Sequence, residues 1–234
     1  MIAQRTRRPR GATLVEFVVI FPIAVLLVLG LIQTGFIYMA KSTLNHAVFM
    51  AARVGATHNA DRGAIMEALV RGLSPFHQDA SKTNDSARLA LALAKSQADR
   101  LAFVDLDVLS PTADTFTDFG VRDPVKRITY IPNDNLEFRS QSVGARSKVN
   151  LRDANLLKIR VTYGYQMKVP VIAGVIRRVM CGGATGVSAW GDVSLVESEI
   201  GLTQPMLCAR YYAFDRIPLR AYALVEMQSP AIQK

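Results

Sequence analysis

The order of apolar and polar positions sets out one long apolar segment near the start of the chain. From Ala12 to Ala40 the only acidic or basic side chain is Glu16, and Phe17 through Ile32 is an unbroken apolar run (FVVIFPIAVLLVLGLI). Gln33 and Thr34 interrupt it lightly before GFIYMA carries it to Lys41. At 1.5 Å per residue, about 20 helical residues cross a hydrocarbon core near 30 Å thick, and Phe17 to Ala40 meets that length. A core helix of a soluble protein keeps a polar face, and this segment has none. The pattern predicts a membrane-spanning helix over 12–40. Pro22 inside it removes one backbone hydrogen bond and favours a kink, which neighbouring helices can accommodate. Gly30 and Gly35 are five apart, which is not the GxxxG spacing of helix dimers.

Past Lys41 the periodicity becomes that of a folded domain. Leu44, Ala47, Val48, Ala51 and Ala52 follow the i, i+3, i+4 pattern, and Gly55 is a terminator, so the helix continues as a stem. Its small residues suit either close approach of a partner helix or packing on its own domain. Asp61 caps a second helix with Ile65, Met66, Leu69 and Val70 on its apolar face, stopped by Gly72 and Pro75. The polar HQDASKTNDS loop precedes a third helix over Ser86–Leu101. From Ala102 the pattern alternates with a period of two. Val104, Leu106 and Val108 alternate with Asp105 and Asp107, which puts the aspartates on a solvated face. Ile128–Ile131 reads as a short strand. Leu156–Met167 and Arg216–Met227 are the clearest strands and are expected to be central antiparallel neighbours. Val169–Met180 is apolar but too short to span, and reads as a loop or short helix at the membrane-facing end. The expectation is an α+β protein: basic leader 1–11, spanning helix 12–40, helical stem and helices 41–101, and a helix-plus-antiparallel-sheet domain over 102–234.

Charge gives the orientation. Of the formal net charge of +9, four positive charges (Arg5, Arg7, Arg8 and Arg10) precede the span and +5 remains for the rest. The RTRRPR leader faces only Lys41 on the far side, so the positive-inside bias holds the N-terminus in the cytoplasm and the domain outside it. A removable secretory signal has an apolar region of about 7 to 15 residues and an A-x-A-like site, and neither is found here. The mild excess over the domain is no nucleic-acid stripe. Cys181 and Cys208 belong to no CxxC pair, and His46, His58 and His77 are not spaced as metal ligands. The two cysteines form either one disulfide or two buried thiols. The glycine-rich stretch Cys181–Gly186 lacks the ending of a phosphate loop and reads as a turn, and Trp190 reads as packing. No nucleophile or zinc-hydrolase motif occurs, so the chain is read as no enzyme, with no cofactor and no metal.

Glu16 is the residue that calls for a partner, because a carboxylate within a span is costly. It stands in Gly11-Ala12-Thr13-Leu14-Val15-Glu16-Phe17, behind a basic leader and ahead of the apolar helix. That string resembles the processing site of type IV prepilins and pseudopilins. It is most similar to the TadE-like proteins of the tight-adherence (Tad, or Flp) pilus, through Arg10, Gly11, Val15, Glu16, Phe17 and Pro22. Ala47–Ala56 (AVFMAARVGA) is similar to the family's A-A-R-x-G-A stretch. Arg216-Ile217-Pro218-Leu219 and Met227-Gln228-Ser229-Pro230 look like its endings. The resemblance covers about the first 56 residues well and the last 20 loosely.

The resemblance implies a minor pilin or pseudopilin of the inner membrane, cut by a prepilin peptidase after Gly11 to leave Ala12 as the mature N-terminus. Its partners would be other pilins and the pilus assembly platform. The freed amine would lie about 6 Å along the axis from Glu16. Two helices staggered by that distance could pair amine with carboxylate, setting a register to which Phe17 also belongs. The competing expectations are an uncleaved single-pass scaffold of the envelope and a membrane-tethered envelope enzyme.

Overall fold

The computed structural model describes residues 12–79, 81, 84–181 and 203–233. The glycine-rich stretch after Cys181 and Trp190 lie outside the described residues. Helix α1 (Ala12–Thr57) runs for 46 residues, through Pro22 without interruption. Val15–Thr57 is long and apolar enough to cross a membrane, and its most apolar window has no buried residue. Such a helix is compatible with a single-pass membrane protein.

The two ends of α1 have different surroundings. The large apolar side chains from Val15 to Ile32 are exposed except for half-buried Leu29, whereas Gln33, Ala40, Leu44, Ala47, Val48, Ala51, Ala52 and Ala56 are buried. These recur at helical spacing and form one stripe, which the chain's own domain covers. The stem therefore packs on its own domain. Its small residues allow this. A Cβ on Gly55 would lie 2.5 Å from Ile65 Cγ1 and 2.8 Å from Leu157 Cδ2, and one on Gly72 would lie 2.7 Å from Ala47 Cβ. Fully buried side chains such as Leu44 contribute about 1.5–3 kcal/mol each.

Helix α2 (Arg62–Leu73) returns along α1, with the Asp61 carboxylate accepting from Ala64 N at 2.9 Å as its N-cap. A 3-10 turn (Ser74–His77) leads toward α3 (Asp85–Phe103), capped by Asn84. Strand β1 (Val104–Ser110), α4 (Ala113–Phe119), β2 (Val121–Arg122), β3 (Thr129–Ile131), α5 (Leu151–Ala154) and β4 (Leu156–Gln166) follow. Then come α6 (Pro170–Cys181), α7 (Gln204–Arg210), a 3-10 turn (Tyr212–Phe214), β5 (Arg216–Glu226) and β6 (Ala231–Ile232).

The main sheet is antiparallel with order β1-β4-β5, and β2-β3-β6 form a smaller one. β4 and β5 pair over their full lengths, from Leu156↔Glu226 to Gln166↔Arg216. They are neighbours as expected, but β4 is central and β5 is an edge, where Pro218 can do without an N–H for a further strand. Leu157, Ile159, Val161, Tyr163 and Tyr165 join Leu219, Ala221 and Ala223 on the face that forms the core with α1. Asp105 and Asp107 lie on the other face, ion-paired with Arg210 and Arg160. The apolar segment expected over 169–180 as a loop or short helix is the helix α6 from Pro170 on, and α6 packs against both α1 and α7.

Candidate functional site

Of the residues singled out at the N-terminus, Glu16, Phe17 and Pro22 lie on the uncovered part of α1. Gly11 lies outside the described residues, and Ala12 is the first residue of the helix. Glu16 is exposed, as is Phe17, whose ring stacks on Phe21 with centroids 5.1 Å apart. One turn therefore carries the carboxylate and an aromatic edge, with Pro22 just beyond. The helix rise puts Glu16 about 6 Å from Ala12 and about 26 Å from Gln33. Cys181 and Cys208 are bonded to each other, with Cα atoms 5.8 Å apart, and join α6 to α7.

Gln33, which the sequence pattern presents only as a light interruption, ties α1 to the domain. Its Oε1 accepts from Lys168 N at 3.1 Å and Val169 N at 2.9 Å, just ahead of α6. The side chain is 1% exposed. The Oε1 thus satisfies two backbone N–H groups, while Nε2 is buried with no hydrogen-bond partner among the described residues. The signal in the sequence was that polar atom itself, at the end of the unbroken apolar run.

A second cluster joins four elements of the domain. The Asp99 carboxylate of α3 accepts from both Arg216 Nη1 at 3.0 Å and Nη2 at 2.8 Å, and from Tyr163 Oη at 2.9 Å. His77 Nε2 lies 3.1 Å from the same carboxylate. Arg216 also donates to Gly164 O at 2.7 Å, and its guanidinium lies 3.9 Å from the centre of the Phe103 ring. Burial pushes the Asp99 pKa up, but hydrogen bonds from His77, Arg216 and Tyr163 outweigh it and bring the value down to about 2. Burial, then the charge of Asp99, pushes the Tyr163 phenol up. The cluster borders an open cleft of about 400 Å³ that Lys95 and Lys168 also line. With both terminal guanidinium nitrogens on Asp99 and Nη1 also on Gly164 O, the arrangement works as a tie between α3, β4 and β5.

The C-terminal stretch that looked like a family ending has a structural task. Gln228 N and Ser229 N both donate to Ala56 O at 3.0 Å, and Asn59 Nδ2 donates to Pro230 O at 2.7 Å. Met227–Pro230 thus closes the carbonyl end of α1, where Asn59 and Ala60 adopt positive φ. Arg216, the first residue of the other such stretch, is the cation of the buried tie.

The family model described as TadE-like protein matches residues 11–53. This TadE-like segment begins at Gly11 and ends at Arg53, so it holds the uncovered helix, Gln33 and most of the stem. No curated protein and no solved structure matches the chain.

Proposed function

We propose that the chain is a TadE-like minor pilin or pseudopilin that takes part in assembling a Tad (Flp) pilus, and so in the adhesion or secretion that the pilus serves. The observation that carries the reading is the contrast along α1: a bare apolar stretch from Val15 to Ile32 headed by an exposed Glu16, then a stem held by its own domain. In this reading Val15–Ile32 crosses the inner membrane. Glu16 stands at the cytoplasmic boundary, and Gln33, about 26 Å further on, marks the outer one.

The arginine-rich leader supports a cytoplasmic N-terminus, and the disulfide supports a periplasmic domain, since disulfides persist in oxidising compartments. Prepilin peptidase cuts after Gly11, and the amine of Ala12 meets the Glu16 carboxylate of a neighbouring pilin helix. Each charge alone is disfavoured in lipid, so the pair sets the stagger between subunits. The test is co-purification of the membrane-inserted chain with its pilin partners. Glu16→Gln and Glu16→Ala should insert as the wild type does and lose those partners. Undiminished recovery with both variants would refute the pairing and favour an uncleaved scaffold.

A further inference from the structure

Helix α6 carries an apolar stripe that the described residues leave bare. At 100° per residue, Ala173, Ile176 and Met180 share one face. Ala173 is buried, and Ile176 and Met180 pack against the cluster of Leu207, Tyr211 and Tyr212. Val171, Val175 and Val179 fall on the opposite face at i, i+4, i+8 and are 54%, 46% and 49% exposed. Exposed Arg178 lies along one side of that stripe, and exposed Lys168 lies just ahead of the helix.

Two observations identify what covers the stripe. The first is continuity with the span. The backbone entering α6 is held by Gln33, one residue beyond the bare apolar stretch that ends at Ile32, and α6 packs against α1. The second is charge: Lys168 and Arg178 lie near the two ends of an apolar stripe about 12 Å long, eight residue steps of helix from Val171 to Val179.

We propose that α6 lies in the outer interfacial layer of the bilayer, with Val171, Val175 and Val179 among the acyl chains and Lys168 and Arg178 on anionic phospholipid headgroups. An amphipathic helix of this kind seats its apolar face below the headgroups. The proposal rests on α1 spanning the membrane. With α1 it gives the domain two membrane contacts, which fixes its rotation about the span. The disulfide at the end of α6 holds that helix to α7 and keeps the stripe outward.

Bromolipid quenching of single tryptophans in the full chain tests it. The background is Trp190→Phe, reconstituted in phosphatidylglycerol or phosphatidylcholine vesicles doped with brominated lipid. Val28→Trp reports the span, Phe138→Trp the solvent, and Val175→Trp the stripe, with Val179→Trp as an independent repeat. In phosphatidylglycerol, Val175→Trp and Val179→Trp should lose emission as Val28→Trp does, while Phe138→Trp keeps it. In phosphatidylcholine the loss at the stripe should be smaller.

Quenching at Val28→Trp with none at either stripe position overturns the interfacial helix and leaves the span intact. Absence of quenching at Val28→Trp overturns the span, and this proposal with it. Blue-shifted but unquenched emission from the stripe would mean that a protein surface, such as a second copy, covers it, which also overturns the proposal. Equal quenching in both lipids overturns the anionic preference.

Discussion

Replacing Asp99 with asparagine keeps its shape and removes its charge, which leaves the Arg216 guanidinium buried without a counter-ion. The Arg216 side chain is only 11% exposed and that of Asp99 9%, so water from the neighbouring cleft replaces the lost carboxylate only in part. Breaking one partner of such a buried pair costs about 3–5 kcal/mol. For a protein of this size, each kcal/mol moves the unfolding midpoint by about 2–4 °C, so Asp99→Asn should melt about 6–20 °C lower. The assay is a near-ultraviolet circular dichroism melt of the full chain in detergent or nanodiscs.

Asp107→Asn is the control. It breaks a half-exposed pair with Arg160 and should cost about 1 kcal/mol or less. Asp99→Leu with Arg216→Met removes both charges and should return part of the loss, the remainder reflecting the Tyr163 hydroxyl and Gly164 carbonyl left without their partners. The same pair makes stability depend on pH. The folded pKa of Asp99, about 2, lies below its ordinary 3.8. This contribution is therefore complete above pH 3.8 and is lost as pH falls toward 2. At 1.36 kcal/mol per pKa unit it amounts to about 2 kcal/mol. The acid slope should flatten in Asp99→Asn. A melt of Asp99→Asn within about 1 kcal/mol of the wild type, or an unchanged acid slope, would refute the buried tie.

Two other perturbations probe the packing. Gly72→Ala places a Cβ 2.7 Å from Ala47 Cβ and 3.0 Å from its Cα, so α1 and α2 must separate. A loss of about 1–3 kcal/mol in the same melt is expected. Cys181→Ser with Cys208→Ser opens a loop of sequence separation 27 and should cost about 3–4 kcal/mol in the chain-entropy model, read as a lower melting midpoint under non-reducing conditions.

Long elements with one dominant period were legible in the sequence. The apolar run gave α1, and two-residue alternation gave β4 and β5 as neighbours, because each residue on a strand states its own face. What escaped was set by distant partners. Gln33 looked incidental until the backbone of Lys168 and Val169, more than 130 positions away, was found on its amide oxygen. Arg216 and Asp99 sit in unremarkable contexts, and only the fold brings them together across a sequence separation of 117. The alanines of the stem fit either a partner helix or the domain itself, and the close approach of α2 through Gly72 decided for the domain. The Cys181–Cys208 bond likewise followed from the packing of α6 against α7, which spacing alone left open.

The most direct test of the proposed role is the identity of the first residue of the chain isolated from its native membranes, read by mass spectrometry with and without an active prepilin peptidase. With the enzyme, the chain should begin at Ala12, and without it the arginine-bearing leader should remain. A leader retained in both strains would contradict assembly through a freed amine and leave a tethered envelope protein in its place.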